Sequence, residues 1–338
     1  MAVGVVHQSP VHVGHRAAPW VAVLIGLVLS VKYTGYPPIR WIADADVGTS
    51  AAETIRAFAF VRRRKSMNRF HRLFSRAVRA GFALAVMGVG FGAGAAIQEE
   101  AVTYKDGDTV MKGFIVYDDA SAAKRPGIIV VHEWWGITKH IRDEARRLAG
   151  QGYTAFVADM YGDAKTADNP KDAGALAGSV RKDPAAMLSR FNAAKATLSQ
   201  HARTDASKIG ASGYCFGGSV VLDAARAGVD LKGVAAFHAS LGAAGSAAQA
   251  GGVKSKVLVL NGEADPFIKA ESIDAFKKEM AAAKVDYRYI NYPGAVHAFT
   301  NPEATEKGKQ FNLPLAYQPE ADKQSKAEAL KFFGDVFK

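Results

Sequence analysis

Residues 208–222 read KIGASGYCFGGSVVL, in which a mostly apolar run passes through one cysteine into a run of small and apolar residues. The run before Cys215 predicts a buried strand, and the run after it predicts a helix. Gly213 and Gly217 stand two residues on either side of Cys215. Glycine at both positions indicates a turn so tight that side chains there would collide and the central residue takes a strained conformation. We therefore predict a strand, a nucleophile turn at Cys215 and a helix.

On both sides of this turn, short apolar runs alternate with amphipathic stretches. Apolar runs predict buried parallel strands at Gly127–His132 and Thr154–Met160. Four more strands are predicted at Lys208–Tyr214, Leu231–Phe237, Lys256–Asn261 and Tyr287–Tyr292. Predicted helices lie at Lys139–Gln151, Pro184–Gln200 and Lys323–Phe337. Ala101–Tyr104 and Val110–Tyr117 alternate apolar and polar residues, which predicts an antiparallel hairpin at the edge of the sheet. We therefore expect an α/β fold, with a mostly parallel sheet and helices on both faces, in a single domain over residues 96–338.

The segment before this domain has the layout of a secretory signal peptide. Arginines after a second methionine, Met67, precede the uncharged apolar run Ala80–Ala93, and Ala93-Gly94-Ala95 fits a small-residue cleavage site. We expect residues 67–95 to direct export to the periplasm or the medium and to be removed. The alternative is a membrane anchor over residues 80–97, although its apolar run is shorter than the ~20 residues that a spanning helix needs. Residues 1–66 show no sustained periodicity and are interpreted as an over-extended reading frame or a disordered N-terminus.

Charge, cysteine content and motifs exclude several classes of protein. The net charge is +11, but residues 1–95 hold twelve of the basic residues and only three acidic ones. The predicted domain is therefore nearly neutral, whereas a nucleic-acid-binding domain carries a basic patch of its own. Cys215 is the only cysteine, so no disulfide can form within the chain. The sequence shows no metal-ligand cluster, and we expect neither a metal nor a cofactor.

Two downstream residues can activate a cysteine nucleophile. Asp265 and His297 each follow the end of a predicted strand, where parallel sheets place their ligands. Hydrolases with a nucleophile turn of this kind carry nucleophile, acid and histidine in that chain order. His297 would take the proton of Cys215 and later activate water, and Asp265 would orient His297. Glu263 is the alternative acid, and His238 is the alternative base, although it precedes Asp265 and so breaks the order.

The loop after the first predicted parallel strand reads His132-Glu133-Trp134-Trp135-Gly136. In a fold of this kind the loop supplies one backbone N–H to the oxyanion hole, and the residue after the nucleophile supplies the other. The amides of Trp134 and Phe216 are therefore the predicted donors. Glu133 is either a carboxylate directed at the nucleophile or a carboxylate of a surface loop, and His132 is interpreted as a strand-end residue.

These motifs resemble those of the dienelactone hydrolases, a family of the α/β-hydrolase superfamily. The resemblance covers residues 101–337 and rests on IIVVHEWWG, QGYTAFVADMYG, the GYCFGG turn, Asp265 and GAVHAFTNP. It implies an α/β-hydrolase fold and a catalytic triad of Cys215, His297 and Asp265. It also implies that the Glu133 carboxylate is a catalytic group that hydrogen-bonds the resting thiol of Cys215 and releases it as a thiolate when substrate binds.

One position departs from the family pattern. Family members hold a substrate carboxylate with arginines, one of them four residues after the catalytic histidine, and this position is Asn301 here. An asparagine lacks the charged, bidentate fork of arginine, and Arg181 and Arg142 are the alternatives. Aromatic residues beside the catalytic elements indicate an apolar pocket. Together with Asn301, the predicted substrate-binding residues are Trp135, Phe267 and Phe299.

We therefore expect hydrolysis of a lactone or carboxylic ester through a thioester at Cys215. The alternatives are a carboxylesterase acting on a different small ester and a non-catalytic ligand-binding protein on the same fold. The expected partner is a small-molecule substrate. We expect a monomer that binds no nucleic acid and has no stable membrane association once the signal peptide is removed.

Overall fold

The computed structural model describes residues 96–338 of the chain. The predicted signal peptide at residues 67–95 and the interpretation of residues 1–66 fall outside this range, as does all but the end of the alternative anchor at residues 80–97. Among the described residues, no helix combines the length and the hydrophobicity that crossing a membrane requires.

One sheet of eight strands runs through residues 96–338. The strands are β1 (Ile97–Asp106), β2 (Thr109–Asp118), β3 (Arg125–Val131), β4 (Thr154–Ala158), β5 (Thr204–Tyr214), β6 (Gly233–Phe237), β7 (Lys256–Gly262) and β8 (Tyr287–Tyr292). They lie in the order β1-β2-β4-β3-β5-β6-β7-β8. β1 and β2 form an antiparallel hairpin at one edge, β2 pairs antiparallel with β4, and the remaining neighbours pair in parallel. The predicted edge hairpin and mostly parallel sheet are confirmed.

Seven helices accompany the sheet in the described residues. They are α1 (Lys139–Ala149), α2 (Pro170–Arg181), α3 (Pro184–Gln200), α4 (Phe216–Arg226), α5 (Ala270–Ala282), α6 (Ala304–Phe311) and α7 (Pro319–Val336). The three helices for which the sequence analysis gave residue ranges correspond to α1, α3 and α7. α3 begins as predicted, because Pro184 is its first residue and the Asp183 side chain accepts a hydrogen bond from the Ala186 amide.

α2 occupies the polar, proline-containing segment before α3, where no helix was predicted; α6 was not predicted either. The buried side chains of α2 are small or medium in size, at Ala173, Ala177 and Val180. Their spacing defines one helical face, but alanine contributes little hydrophobic periodicity. Pro170 at the first position and the capping side chain of Asn169 are the local signals that mark its start.

The central strands of the sheet are buried on both faces. Along β3, Ile129 and Val131 belong to a hydrophobic cluster with residues of α3 and α4, whereas Ile128 and Val130 belong to a second cluster with residues of α1 and α7. Alternate residues of a strand point to opposite faces, so two-sided burial requires the continuous apolar run that the sequence contains. Each of these side chains is fully buried and stabilises the fold by about 1.5–3 kcal/mol relative to an exposed position. The prediction of helices on both faces is confirmed.

The carboxyl ends of the parallel strands meet at one edge of the sheet. Val131 pairs with Gly213 where β3 and β5 end. β7 and β8 also end in register, with Gly262 opposite Tyr292. The loops that follow these four strands carry the predicted catalytic residues, so the fold places them along one edge, where open α/β sheets bind their ligands.

Candidate active site

The turn at Cys215 has the strained backbone that its flanking glycines predict. Cys215 has φ 54° and ψ −112°, a conformation that costs about 1–3 kcal/mol and persists only where the surroundings hold it. Its amide donates to the Phe237 carbonyl of the neighbouring strand at 3.0 Å. A Cβ at Gly213 would overlap the Gly217 carbonyl group, and a Cβ at Gly217 would overlap the Val131 carbonyl oxygen. The two glycines therefore allow backbone contacts that a larger residue would prevent.

Three of the predicted catalytic side chains form one chain of hydrogen bonds. His297 Nε2 lies 3.1 Å from Cys215 Sγ, and His297 Nδ1 lies 2.7 Å from Asp265 Oδ2. The other oxygen of Asp265 accepts the Phe267 amide at 2.9 Å, which orients the carboxylate. Because an ionised carboxylate only accepts, Nδ1 carries a proton and Nε2 is left to exchange one with the sulfur. The arrangement is the one that a nucleophile, a base and an orienting acid would require.

The surroundings of His297 favour its protonated form. Burial lowers the pKa of His297, but the negative charge of Cys215 and the hydrogen bonds to Asp265 and Cys215 outweigh burial and raise the pKa to about 10. Cys215 is partly buried and stands at the N-terminus of α4, where the helix dipole favours an anion. The His297 ring and the helix N-terminus are therefore both placed to favour negative charge on the sulfur.

The alternative acid and base lie in other surroundings. Glu263 is exposed to solvent, whereas Asp265 is buried. His238 is fully buried; its Nε2 lies 2.9 Å from Thr300 Oγ1, and its ring packs edge-to-face on that of His297 with centroids 5.3 Å apart. Burial and the charge of His297 hold the pKa of His238 well below its usual value. Among the described residues, neither alternative forms a hydrogen bond with the sulfur.

The structure does not contain the expected hydrogen bond between Glu133 and Cys215. In the described part of the chain, the buried Glu133 carboxylate accepts from Asn301 Nδ2 at 2.7 Å and lies 3.4 Å from His140 Nδ1. Burial raises the pKa of Glu133, but the hydrogen bonds from His140 and Asn301 and the charge of His140 outweigh burial and hold the pKa below its usual value. The expected hydrogen bond is therefore replaced: the sulfur lies against His297, and both donors to Glu133 reach its Oε2 atom. The catalytic role of Glu133 stays a prediction.

The predicted oxyanion-hole donors, Trp134 and Phe216, lie in two backbone segments that are in contact. Phe216 is the first residue of α4, and the first N–H groups of a helix have no acceptor within it. Gly217 lies against the carbonyl group of His132, so the first turn of α4 sits beside the loop that carries Trp134. Backbone N–H groups gathered next to a nucleophile can hold a developing oxyanion.

A cavity of about 300 Å³ opens beside the first turn of α4. Its walls include Arg181, Phe216 and residues 242–244. The Arg181 guanidinium, at the end of α2, stacks over the Phe216 ring at 5.4 Å from the centroid. Arg142 instead pairs with Glu99 of β1. The structure thus distinguishes the two alternative arginines, because Arg181 lines the cavity and Arg142 is engaged elsewhere.

The predicted substrate-binding residues fall into two groups. Phe267 is half exposed, at 51%, and its ring meets that of His297 edge-to-face at 5.1 Å, so it can contact a substrate. The other three, Trp135, Phe299 and Asn301, have at most 2% of their surface exposed. These three side chains are buried in the structure as it stands, so their contact with a substrate stays a prediction.

Two residues near the site were not predicted from the sequence. His140 reaches Glu133 from the buried face of α1. Tyr161 donates its hydroxyl to the Trp134 carbonyl at 2.9 Å, and its ring packs 5.4 Å from that of Phe216. Tyr161 lies in the QGYTAFVADMYG stretch but was given no role there, and no local motif marks His140. The helical spacing of apolar positions on α1 is the one signal that could have placed His140 on an inward face.

Several known proteins are similar to this chain in fold and in sequence. A model of the dienelactone hydrolase family matches residues 111–337. The chain is 31% identical over 200 residues to a putative carboxymethylenebutenolidase of Yersinia pestis, covering 56% of this chain and 74% of that protein. It is 31% identical over 186 residues to the protein usf of Aquifex pyrophilus, covering 52% and 77%. The crystal structure of a dienelactone hydrolase-like promiscuous phosphotriesterase from metagenomic libraries is similar with a TM-score of 0.67 and 34% identity, covering 72% of this chain and 100% of that one.

Proposed function

The chain belongs to the dienelactone hydrolase family, and from this premise we propose that it cleaves a lactone or a carboxylic ester through a thioester at Cys215. The observation that carries the proposal is the hydrogen-bond chain from Cys215 Sγ through His297 to Asp265. A carboxylesterase acting on a different small ester would use the same chemistry. Ligand binding without catalysis would require neither the strained backbone at Cys215 nor the contact of its sulfur with His297.

In the acylation step, the Cys215 thiolate attacks the carbonyl carbon of the substrate, and the π electrons of the carbonyl move onto its oxygen. The backbone N–H groups of Phe216 and Trp134 donate to this oxyanion, and one such donor is worth about 10²–10³ in rate. When the tetrahedral intermediate collapses, the bond to the leaving oxygen breaks and His297 gives that oxygen its Nε2 proton. The products are a thioester on Cys215 and an alcohol, which in a lactone stays attached to the acyl group.

In the deacylation step, neutral His297 takes a proton from a water molecule as the water oxygen attacks the thioester carbon. The second tetrahedral intermediate expels Cys215 as a thiolate and releases the carboxylic acid. The thiolate–imidazolium pair is thereby restored. Asp265 holds the ring and stabilises its charge in both steps, as the buried acid of a catalytic triad does.

We place part of the substrate in the cavity beside Phe216. A volume of about 300 Å³ lies at the lower end of the range for small-molecule sites, about 300–1,000 Å³, which favours a small substrate. Arg181 on the cavity wall offers a permanent positive charge with several donors to an anionic group. Phe267 adds exposed apolar surface next to His297.

A panel of activated aryl esters and small lactones tests the proposal with the full chain. One aryl phosphotriester joins the panel, because the structural relative is described as a promiscuous phosphotriesterase. We expect steady release of acid, and an acyl adduct on the intact protein mass when a slowly hydrolysed ester is used. C215A should lose both turnover and adduct.

The controls separate the alternatives. Turnover that survives in C215A would refute a cysteine nucleophile. Saturable ligand binding by the parent chain without turnover of any panel member would favour the non-catalytic alternative.

We also propose that residues 67–95 direct export and that the mature protein is a periplasmic or secreted monomer. The arginines after Met67 and the small residues ending at Ala95 support this assignment. Protein recovered from the periplasm or medium should begin just after Ala95, as read by mass spectrometry. A precursor peptide beginning upstream of Met67 would contradict the over-extended reading frame. Light scattering should give the mass of one chain.

A further inference from the structure

Glu133 and Cys215 come from adjacent strands at the same level. Val131 of β3 pairs with Gly213 of β5 in parallel register. Glu133 lies two residues after Val131, and Cys215 lies two residues after Gly213. The loop that follows β3 begins with residues 132–136 and is called the β3 loop below. The backbone of the first turn of α4 touches this loop at Gly217. A carboxylate on that loop therefore stands close to the nucleophile, and its orientation affects the charge that the sulfur can carry.

The orientation of Glu133 is set by two donors from other elements. Asn301 Nδ2, from the loop after β8, donates to Oε2 at 2.7 Å. His140 Nδ1, from the first turn of α1, faces the same oxygen at 3.4 Å. Both donors are buried, with His140 only 4% exposed, so water does not compete for the carboxylate from their side.

The charged and titratable groups around His140 support a donating imidazole. Glu133 and Glu144 are the acidic neighbours that raise its pKa, Lys326 of α7 is the basic neighbour that lowers it, and the Tyr214 ring at the end of β5 packs edge-on with centroids 5.5 Å apart. Burial lowers the pKa of His140, but the hydrogen bond to Glu133 and the acidic charges outweigh burial and raise the pKa above its usual value. Because Nδ1 faces a carboxylate oxygen, it is the ring nitrogen that donates.

We propose that His140 is a positioning residue for the nucleophile: with Asn301 it holds the Glu133 carboxylate away from the Cys215 sulfur, so that the thiol proton passes to His297 alone. Removing His140 leaves the carboxylate with one donor and frees it to approach the sulfur. A carboxylate beside the sulfur opposes the thiolate by charge repulsion and gives the thiol a competing acceptor. This inference deepens the proposed function and rests on Cys215 as the reacting atom.

The rate of Cys215 alkylation by iodoacetamide against pH measures the thiolate directly, since the full chain has one cysteine. We expect H140L to move the midpoint of the alkylation rate–pH profile about one unit upward, so that alkylation is about tenfold slower at pH values below the parent's midpoint, the effect of a one-unit rise in the thiol pKa. H140Q retains an N–H donor and should stay within about threefold of the parent, and E133Q combined with H140L should restore the parent rate, because the amide carries no charge.

His201 provides a matched control. It also faces a glutamate at 3.4 Å, Glu100, but at the start of β5 rather than at its catalytic end. H201L should alkylate as the parent does. Thermal unfolding of each variant shows whether it is folded. If H140L is not, H140F, which keeps an aromatic ring but has no N–H donor, takes its place in the comparison with the parent and with H140F/E133Q.

The proposal is overturned if folded H140L alkylates like the parent, or if E133Q fails to restore the rate in the double variant. The first result would show that His140 does not affect the nucleophile, and the second that it does not act through Glu133. Alkylation requires no substrate. Failure of the proposed function, seen as absent ester turnover, is therefore distinguishable from failure of this inference.

Discussion

Replacing Gly217 with alanine perturbs the contact between the nucleophile turn and the loop after β3, in which the Trp134 amide is a proposed oxyanion-hole donor. The new Cβ would lie 2.6 Å from the His132 carbonyl oxygen and closer still to that of Val131, whereas ordinary contact begins at 3.4 Å. Both opposing atoms are backbone atoms at the end of a buried strand, so neither can rotate away. The first turn of α4 and the β3 loop must therefore separate by about 1 Å, the scale at which misplacement of reacting groups costs about 10² in rate.

The same overlap costs stability, and the two effects are measured separately. Overpacking of this kind destabilises a fold by about 1–3 kcal/mol, a loss that urea unfolding followed by circular dichroism detects. Stopped-flow release of p-nitrophenol from an aryl acetate gives the acylation rate. We expect G217A to remain folded at 25 °C, to lose about 1–3 kcal/mol of stability and to acylate about a hundredfold more slowly.

Gly334 of α7 provides the matched control for G217A. It is also a helical glycine, but an added Cβ there meets nothing within 4 Å, so G334A should acylate at the parent rate. If folded G217A acylates within threefold of the parent, the contact between α4 and the β3 loop does not position the oxyanion hole, and the reasoning is refuted.

Three further outcomes follow from the site. D265N should lower kcat by about 10⁴ with little change in KM, and a loss below tenfold in steady-state assays would mean that another acid orients His297. R181M should raise KM about tenfold or more for an ester that carries a carboxylate, since a charged hydrogen bond is worth about 1.5–3 kcal/mol; an equal rise for a neutral ester of the same size would show a packing effect instead. Because the pKa of His297 is raised to about 10, the imidazolium is present below that pH and the acylation rate should fall as pH rises through it. An NMR titration should find a lower pKa for His297 in C215A, which lacks the sulfur charge, and an unchanged value would contradict the ion pair.

The nucleophile turn and its partners could be predicted because their signals are local. Gly213 and Gly217 are required by contacts within a few residues of Cys215 or with the adjacent strand. Asp265 and His297 each follow a predicted strand, of which β7 is buried and β8 only partly buried. Parallel strands then bring such loop positions to one edge without further information.

The parts that could not be predicted depend on contacts between distant elements. Trp135 is buried partly because Phe311 of α6 packs on it, with ring centroids 6.0 Å apart, and α6 itself was not predicted. Asn301 was assigned to substrate by its position after His297, but its amide turns toward Glu133, 168 residues away. Neither contact leaves a trace in local hydrophobic periodicity.

The strand order also determines when the site can form during folding. β5, β6, β7 and β8 lie side by side in chain order, so each can dock on its predecessor as synthesis proceeds. The base lies 82 residues beyond the sulfur and cannot meet it until β8 has joined the sheet. Pairings between segments far apart in sequence carry the largest loop-closure cost and slow folding. Recovery of esterase activity after denaturation should therefore report the docking of the last strand, and it should lag behind the recovery of far-ultraviolet circular dichroism.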